Sequence, residues 1–286
     1  MSRRSEWREP LVLRLIEEHG GRAPEGIIEE YADQLRAAAG QQNLPVAPAI
    51  IASCNGVRRR RAAYNFAGRI YAEPSGQLVM DINEKDPPER QHFTEAHELI
   101  HPAFPGFDTE HRYRLDASVD RYAENREEEY LCDLGAAALL MPAALVGERY
   151  TVRGGFDDAE RLAHDARVSV EAAANRVVAL ADEPAVMICL TVSHKPADRP
   201  LLRKSDDVPK RLRIRYALTS HMNLYLPKFK SAADDSVFCQ AATSFTLCSA
   251  ITTLPGAERA GRFRVQAKRY GTDERERVLA IARPTA

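Results

Sequence analysis

Apolar residues recur at helical spacing at the start of the chain. Leu11, Leu15 and Ile16 share one helical face, and after a loop around residues 20–24 the same period continues through Ile27, Ile28, Tyr31, Leu35 and Ala38. From residue 45 to residue 83 the helical spacing of apolar residues is lost. Residues 69–71 and 78–82 are β-favouring runs on either side of a turn-rich connection, residues 73–76. The pattern therefore predicts helices within residues 9–40, followed by a β-hairpin.

A third predicted helix has a defined start and a defined end. Asp86 is a capping residue type, Pro87 suits the first helical position, and Glu89 stands three residues after the cap. Pro102 cannot donate to the helical ladder, so we expect this helix to run from residue 87 to His101 and to end or kink there. A further helix is predicted over residues 122–140, before Pro142.

The second half of the chain separates into a helical part and a β-rich part. Two helices are predicted over residues 157–166 and 170–181, on either side of residues 167–169. Beyond Pro184, Pro, Gly and Asp interrupt a series of β-favouring runs. These runs cover residues 186–192, 211–218, 236–253 and 262–282. We interpret this last part as a separate α+β domain.

A short motif in the helix before Pro102 carries metal chemistry. His97 and His101 are four residues apart, so on a helix both imidazoles project from one face and can bind one metal ion. Glu98 follows the first histidine and can reach a water molecule on that metal. Zinc lowers the pKa of such a water to about 7, and a carboxylate then takes its proton while hydroxide attacks a peptide carbonyl. The motif predicts metal-assisted amide hydrolysis with Glu98 as the catalytic base.

A catalytic zinc site needs a third protein ligand beside an open water position. Six residues beyond His101 stands Phe107, where an extended motif would place a third histidine. The helix predicted over residues 122–140 instead offers acidic residues, namely Glu124, Glu127, Glu128, Glu129 and Asp133. Glu129 and Asp133 share a face, so we assign Glu129 as the third ligand and Asp133 as the acceptor for the free N–H of a ligating histidine. Glu127 and Glu128 are then expected on the solvated face.

Composition narrows the class of protein. The chain has 286 residues, of which 44 % are hydrophobic and 28 % charged, enough for a substantial core in two or three folding units. The formal net charge of −1 gives no global reason to expect a nucleic-acid or membrane partner. No stretch approaches the roughly 20 apolar residues of a membrane-spanning helix. The five cysteines are scattered without a CxxC pair, so we expect reduced thiols and a cytoplasmic location.

Three local features have alternative interpretations. The four arginines at residues 58–61 are expected to form a solvated loop or, alternatively, to contact phosphates or an acidic partner. The helical pair over residues 157–181 could enter a DNA groove, but acidic residues flank it, so a scaffold role is favoured over direct DNA binding. Cys132 is expected to be a small buried side chain packed against the motif helix, with a redox influence on the metal as the alternative.

Residues 90–101 and 129–142 resemble the ImmA/IrrE family of zinc metallopeptidases. The second segment reads Glu-Tyr-Leu-Cys-Asp-Leu-Gly-Ala-Ala-Ala-Leu-Leu-Met-Pro, and a glutamate ligand, a small residue with Asn or Asp, and an Ala-rich stretch ending in Leu-Leu-Met-Pro are typical of the family. This resemblance independently selects Glu129 as the ligand. The chain departs from the family at Ile100, where members usually have glycine, and at Pro102. A bulkier pocket floor and a shorter helix are therefore expected.

The resemblance implies an α+β fold in three parts. A mainly helical, zincin-like metallopeptidase domain with a small β-sheet is expected over residues 1–150. A helix-turn-helix-like segment is expected over residues 151–183, and a GAF-like sensor domain over residues 184–286. The implied cofactor is Zn²⁺, with Mn²⁺ or Fe²⁺ as alternatives in the cell.

The implied activity is that of a site-specific endopeptidase. Its expected substrate is a helix-turn-helix repressor of the XRE type, whose cleavage switches on a stress, DNA-damage or mobile-element response. The alternative is a ligand-sensing transcriptional regulator in which the zinc site is not catalytic. Tyr122, Tyr130 and His111 are candidates for the group that stabilises the oxyanion, and the sequence does not choose among them.

Overall fold

The computed structural model describes residues 7–107, 114–115, 126–203, 208–272 and 276–285. Contacts between residues divide the chain into two compact units. The N-terminal unit comprises Arg3–Gly147 and Leu162–Ala172, and the C-terminal unit comprises Glu148–Arg161 and Ala173–Ala286. The described residues form helices and two sheets, which confirms the α+β class. The predicted boundaries after residues 150 and 183 stay a prediction.

The N-terminal unit begins with three helices, α1 (Pro10–Glu18), α2 (Pro24–Ala38) and α3 (Pro48–Cys54). Each starts with proline, whose missing N–H would have no partner within the first helical turn. The first two confirm the helices predicted within residues 9–40, whereas α3 was not predicted. Their buried apolar residues include Leu11, Leu15, Ile27, Ile28, Leu35 and Ile51.

A small mixed sheet follows the three helices. Its strands are β1 (Arg58–Ala62), β2 (Phe66–Ala72), β3 (Leu78–Asn83) and β4 (Arg114–Leu115), in the spatial order β1-β3-β2-β4. Strands β2 and β3 are antiparallel and confirm the predicted hairpin, while β1 runs parallel to β3.

The solvated loop expected at residues 58–61 is wrong, because these arginines form β1. Arg59 and Arg61 both donate to Glu95 Oε1, at 2.5 and 2.6 Å. Arg60 donates to Asp81 Oδ1 at 2.9 Å. The run therefore neutralises carboxylates of its own unit, which also argues against the alternative of a free phosphate-binding patch.

Helix α4 (Pro88–Glu98) carries the motif and begins one residue later than predicted. Pro87, not Asp86, occupies the cap position, so the predicted Asp86 cap is wrong. The helix ends at Glu98 because Pro102 has no N–H to donate to the Glu98 carbonyl. A short 3₁₀ helix, His101–Ala103, follows.

Helix α5 (Arg126–Leu140) ends before Pro142, as predicted. Residues 122–125 of the predicted helix lie outside the described residues. The first turns of α5 and α1 cap each other: Glu9 accepts hydrogen bonds from the backbone N–H groups of Glu127 and Glu128, and Glu127 accepts from those of Arg8 and Glu9. The bonds to Glu9 satisfy first-turn N–H groups of α5, and those to Glu127 satisfy the N–H groups of the two residues that precede α1.

Three α-helices lie between α5 and the next strand along the chain. They are α6 (Ala143–Val146), α7 (Phe156–Ala166) and α8 (Val170–Ala179). The last two confirm the predicted helical pair, and Arg167 between them has a left-handed backbone with φ 54°. The line between the two units passes through α7 and through α8.

The C-terminal unit contains an antiparallel five-stranded sheet. Its elements are β5 (Ala185–Ser193), α9 (Arg199–Leu202), β6 (Arg211–Ser220), α10 (Val237–Thr243), β7 (Cys248–Thr252), β8 (Phe263–Tyr270) and β9 (Arg277–Pro284), and the strand order is β6-β5-β9-β8-β7. Helix α10 contributes Val237, Phe238 and Ala241 to the core of the sheet. The GAF-like character of this unit stays a prediction.

One predicted β run in this unit is partly wrong. Residues 236–253 contain α10 before β7, and the Ser236 hydroxyl accepts a hydrogen bond from the Cys239 N–H at the start of that helix. Among the described residues, no single helix is long and apolar enough to cross a membrane; Arg126–Leu140 and Ala143–Arg149 meet that test only when taken together across a 40° bend.

Candidate metal centre

Helix α4 presents a buried polar face to its own unit. Thr94, Glu95, His97 and Glu98 are all buried, as is His101 beyond the end of the helix. Leu99 and Ile100 retain helical backbone angles, so His101 stays close to helical register although α4 has ended. The two imidazole rings lie edge to face with centroids 5.0 Å apart. The four-residue spacing thus brings the rings together despite the shorter helix.

Each histidine uses its Nδ1 atom to contact a carboxylate of α5. His97 Nδ1 lies 2.9 Å from Asp133 Oδ1, and His101 Nδ1 lies 3.0 Å from Glu128 Oε1. Because an ionised carboxylate can only accept, each Nδ1 carries the proton in these bonds. The Nε2 atoms are then left with the lone pair that a metal requires.

The Nε2 atoms face the carboxylate of Glu129. Glu129 Oε2 lies 3.3 Å from His97 Nε2, and Glu129 Oε1 lies 3.9 Å from His101 Nε2. Donors around a tetrahedral zinc with bonds of about 2.0–2.1 Å are separated by roughly 3.3–3.4 Å. The 3.3 Å separation matches this spacing and the 3.9 Å separation exceeds it, so the two imidazoles and the carboxylate lie close enough together to converge on one zinc ion. Glu98 Oε2 lies 3.9 Å from His101 Nε2 on the same side.

The charge around the histidines also suits a divalent cation. The contacts gather four carboxylates, those of Glu98, Glu128, Glu129 and Asp133, beside the two rings. Buried charge of one sign is costly without compensation. Elsewhere in the unit the buried carboxylates of Asp81 and Glu95 each meet two arginines. At the histidines, a dication would supply the corresponding charge.

Cys132 offers a different third donor. In the described part of the chain, His97, His101 and Cys132 bring one donor atom each to within 4.8 Å of one another. The Cys132 sulfur, however, lies 3.5 Å from His101 Nδ1, the atom bonded to Glu128. Burial, together with neighbouring carboxylates, raises the pKa of this thiol well above its usual value. The Glu129 carboxylate faces the Nε2 atoms while the Cys132 sulfur faces Nδ1 of His101, so we favour Glu129 and interpret Cys132 as a packing residue behind His101.

The structure brings together the residues chosen from the sequence, with one correction. Glu128 was expected on the solvated face of its helix, but it is 1 % exposed and contacts His101. The buried positions of α5 recur every three or four residues through Leu131, Cys132 and Gly135. Continuing that period backwards reaches residue 128, and this signal could have found it. Glu127 is half-buried and caps α1 instead.

Of the three candidates for oxyanion stabilisation, Tyr130 lies in the described part of the chain. His111 and Tyr122, like the acidic candidate Glu124, lie outside the described residues. The Tyr130 ring packs against that of Trp7 with centroids 6.3 Å apart. Partial burial, with Glu25 and Glu29 of α2, raises the pKa of Tyr130. Tyr130 therefore lies near Trp7, which precedes α1, and near the acidic residues of α2.

Ile100, the departure from the family pattern, packs against α5. It is fully buried, and a Cβ at Gly135 would lie 2.9 Å from two Ile100 carbons and 2.7 Å from Ile28 Cγ2. The absence of a side chain at residue 135 therefore accommodates the bulk of Ile100 between α4, α5 and α2. The Ile100 side chain, which was expected to enlarge the pocket floor, therefore lies in the core between these helices.

Comparison with known proteins gives the family of this part of the chain. Residues 57–178 match the profile of the family Peptidase_M78, described as the IrrE N-terminal-like domain. Over 123 residues the chain is 37 % identical to the radiation response metalloprotease IrrE of Deinococcus deserti. This segment belongs to the ImmA/IrrE family. The ImmA/IrrE segment contains both histidines and the whole of α5.

The likeness to the ImmA/IrrE relative is limited in extent. It covers 42 % of this chain and 41 % of the relative, less than half of either. Among solved structures, a transcriptional regulator of Mycobacterium tuberculosis has a TM-score of 0.60, with 12 % sequence identity, over 96 % of this chain and 80 % of that one. At this identity the likeness concerns the fold alone.

Proposed function

We propose that the chain is a zinc-dependent endopeptidase. In this proposal His97, His101 and Glu129 hold the metal, and Glu98 is the base. The observation that supports it best is the approach of the Glu129 carboxylate to both Nε2 atoms, at 3.3 and 3.9 Å, within a segment of a metallopeptidase family. Zinc is the metal that this donor set favours, and Mn²⁺ and Fe²⁺ stay alternatives.

The side chains divide the chemistry among them. A bound zinc ion acidifies a water molecule and polarises a peptide carbonyl. Glu98, fully buried beside His101, accepts the proton of the attacking water and returns it to the leaving amine. Asp133 and Glu128 hold the two imidazoles in the tautomer that leaves Nε2 free to bind the metal.

The proposed substrate is a helix-turn-helix repressor of the XRE type. Its cleavage in the cytoplasm would switch on a stress, DNA-damage or mobile-element response. Support comes from the family resemblance and from the name of the relative, a radiation response metalloprotease. The helix-turn-helix-like segment over residues 151–183 and the GAF-like sensor domain over residues 184–286 belong to the same proposal, as does the peptidase domain over residues 1–150.

A comparison of wild type with Glu98→Gln tests the activity. Both proteins, loaded with zinc, are incubated with the soluble proteome of the source cells, and new protein N-termini are identified by mass spectrometry. We expect equal zinc content in the two proteins, a small set of new N-termini with wild type, and a rate lower by about 10²–10⁴-fold with the variant.

Two results would count against the proposal. Equal cleavage by Glu98→Gln would remove Glu98 from the role of base. Stoichiometric zinc in wild type without any new N-terminus would favour the regulator with a non-catalytic zinc site.

A further inference from the structure

Gly68 lies in β2 directly against the buried face of α4. In the sheet it pairs with Ile82 of β3 and with Arg114 of β4. The register between β2 and β4 shifts at this point, between Phe66 and Gly68. Glycine in the interior of a strand weakens the strand, and it often marks a place where another group approaches the backbone closely.

Two residues of α4 fill the space that a side chain at position 68 would need. A Cβ there would overlap the Thr94 Cγ2 methyl group and would lie 3.1 Å from Glu98 Oε1. Thr94 and Glu98 are four residues apart, so they share the face of α4 that rests on the strand. The base proposed for catalysis therefore lies against the backbone of β2.

We propose that Gly68 is a positioning residue that sets where the Glu98 carboxylate lies relative to the two histidines. Without a side chain at residue 68, Glu98 Oε1 can approach β2 while Glu98 Oε2 stays 3.9 Å from His101 Nε2. A Cβ at residue 68 would lie 3.1 Å from Glu98 Oε1, so the carboxylate would have to move by a few tenths of an ångström. The inference rests on the proposed role of Glu98, because a displaced carboxylate matters for the rate only if it moves the proton.

Simple packing of helix on sheet is the competing explanation, and the Thr94 contact can be separated from the Glu98 contact. A third atom, Ile82 Cδ1, would lie 3.3 Å from the same Cβ and stays in every variant. The Thr94 atom that a new Cβ would overlap is a methyl group, and serine lacks it. Thr94→Ser therefore removes the overlap with α4 and leaves the contact with Glu98 unchanged. The experiment compares wild type, Gly68→Ala, Thr94→Ser and the double variant Gly68→Ala/Thr94→Ser.

The measurements separate geometry from rate. Crystal structures give the distance from Glu98 Oε2 to His101 Nε2, metal analysis and competition titration give zinc content and affinity, and thermal denaturation gives stability. Steady-state kinetics on a peptide spanning the cleavage site of the mapped substrate gives kcat and KM. Gly26→Ala, which places a methyl group in open space on α2, is the matched glycine control.

We expect Gly68→Ala to lower both stability and kcat. The double variant should recover most of the stability and bind zinc as wild type does, while the Glu98 carboxylate remains displaced by a few tenths of an ångström and kcat remains several-fold low with unchanged KM. Thr94→Ser and Gly26→Ala alone should keep the wild-type kcat.

A double variant with the wild-type Glu98 position, or with the wild-type kcat, overturns the inference. A double variant that does not fold also counts against it, because packing then explains the glycine. Failure of the proposed function looks different: Glu98→Gln is then fully active, whatever the variants at residue 68 do.

Discussion

The two units differ in the side chains that they bury. In the N-terminal unit the buried polar and charged residues lie on β3, on α4 and just beyond it, and on α5; they are Asp81, Thr94, Glu95, His97, Glu98, His101 and Glu128. In the described part of the C-terminal unit they are Arg176, Asp198 and Arg213, and the sheet core is built from apolar side chains. Burying ionisable groups opposes folding, so their concentration in one unit marks where chemistry outweighs stability.

Within the N-terminal unit a second contrast separates structural from chemical carboxylates. Asp81 and Glu95 are paired with arginines of β1 and β2, which fix the sheet and α4 to one another. Glu98 and Glu128 lie beside imidazoles instead. The residue type opposite a buried carboxylate therefore separates the carboxylates that join elements of the fold from those that contact the histidines of the proposed zinc site.

The largest expected effect concerns the apolar core of the C-terminal unit. Phe238 is 1 % exposed, so Phe238→Ala should lower the free energy of unfolding by about 3–5 kcal/mol. Phe245 is 79 % exposed and packs against the Arg269 guanidinium. Phe245→Ala should therefore lower the free energy of unfolding by about 1 kcal/mol or less. Urea denaturation gives both values. If Phe238→Ala also lowered zinc affinity, the apolar core of the C-terminal unit and the proposed zinc site of the N-terminal unit would not be independent.

A smaller effect is expected from the carboxylate behind His101. Glu128→Gln should weaken zinc binding by about 10–100-fold, because a neutral amide holds the imidazole tautomer less firmly. Glu127→Gln is the matched neighbour, since its carboxylate accepts from the N–H groups of Arg8 and Glu9 rather than from a histidine. Competition titration with a chromophoric chelator measures both affinities. Equal zinc affinities in the two variants would show that Glu128 acts only in packing.

The smallest effect concerns pH and the C-terminal unit. Burial alone would raise the pKa of Glu160, but hydrogen bonds from Lys268 and Tyr270 hold that pKa below its usual value. A lowered folded-state pKa contributes stability above the unfolded value, about 4.3, and that contribution is lost as pH falls through the folded value. The side chain is 37 % exposed, so the contribution is below about 1 kcal/mol after solvent screening.

Glu160→Gln should therefore be slightly less stable than wild type at pH 7, with the difference vanishing in acid. Denaturation midpoints at pH 7 and in acid test this.

Tyr270 affects stability in alkali instead, because burial and Glu160 raise its pKa. Its contribution is present below about pH 10, the usual value for tyrosine, and is lost as pH rises through the folded value. For Glu160, a stability difference between wild type and Glu160→Gln that grows as the pH falls would contradict the sign of its pKa shift.

The sequence predicted the elements that local chemistry defines. The turn at residues 73–76 and the alternation around it identified the β2–β3 hairpin, and Pro142 marked the end of α5. The spacing of His97 and His101 was enough to place both rings near one point, even though α4 stops at Glu98.

The elements that the sequence missed depend on distant partners or on ambiguous short runs. Strand β1 is a run of arginines. Two of them, Arg61 and Arg59, donate to Glu95, which lies 34 and 36 positions further along the chain. Helix α10 begins with Val237 and Phe238, an apolar pair equally compatible with a strand, and only the Ser236 cap distinguishes it. Glu128 was misplaced because carboxylates are usually exposed, and the His101 ring that compensates its burial lies on another element.

The mutual capping of α1 and α5 bears on how small a working fragment can be. A fragment trimmed to the family-matched residues 57–178 would lack Glu9, which satisfies the first-turn N–H groups of the helix that carries Glu128 and Glu129. It would also lack Ile28, which packs at Gly135. A fragment that keeps these contacts therefore extends upstream of the family-matched residues, to α1.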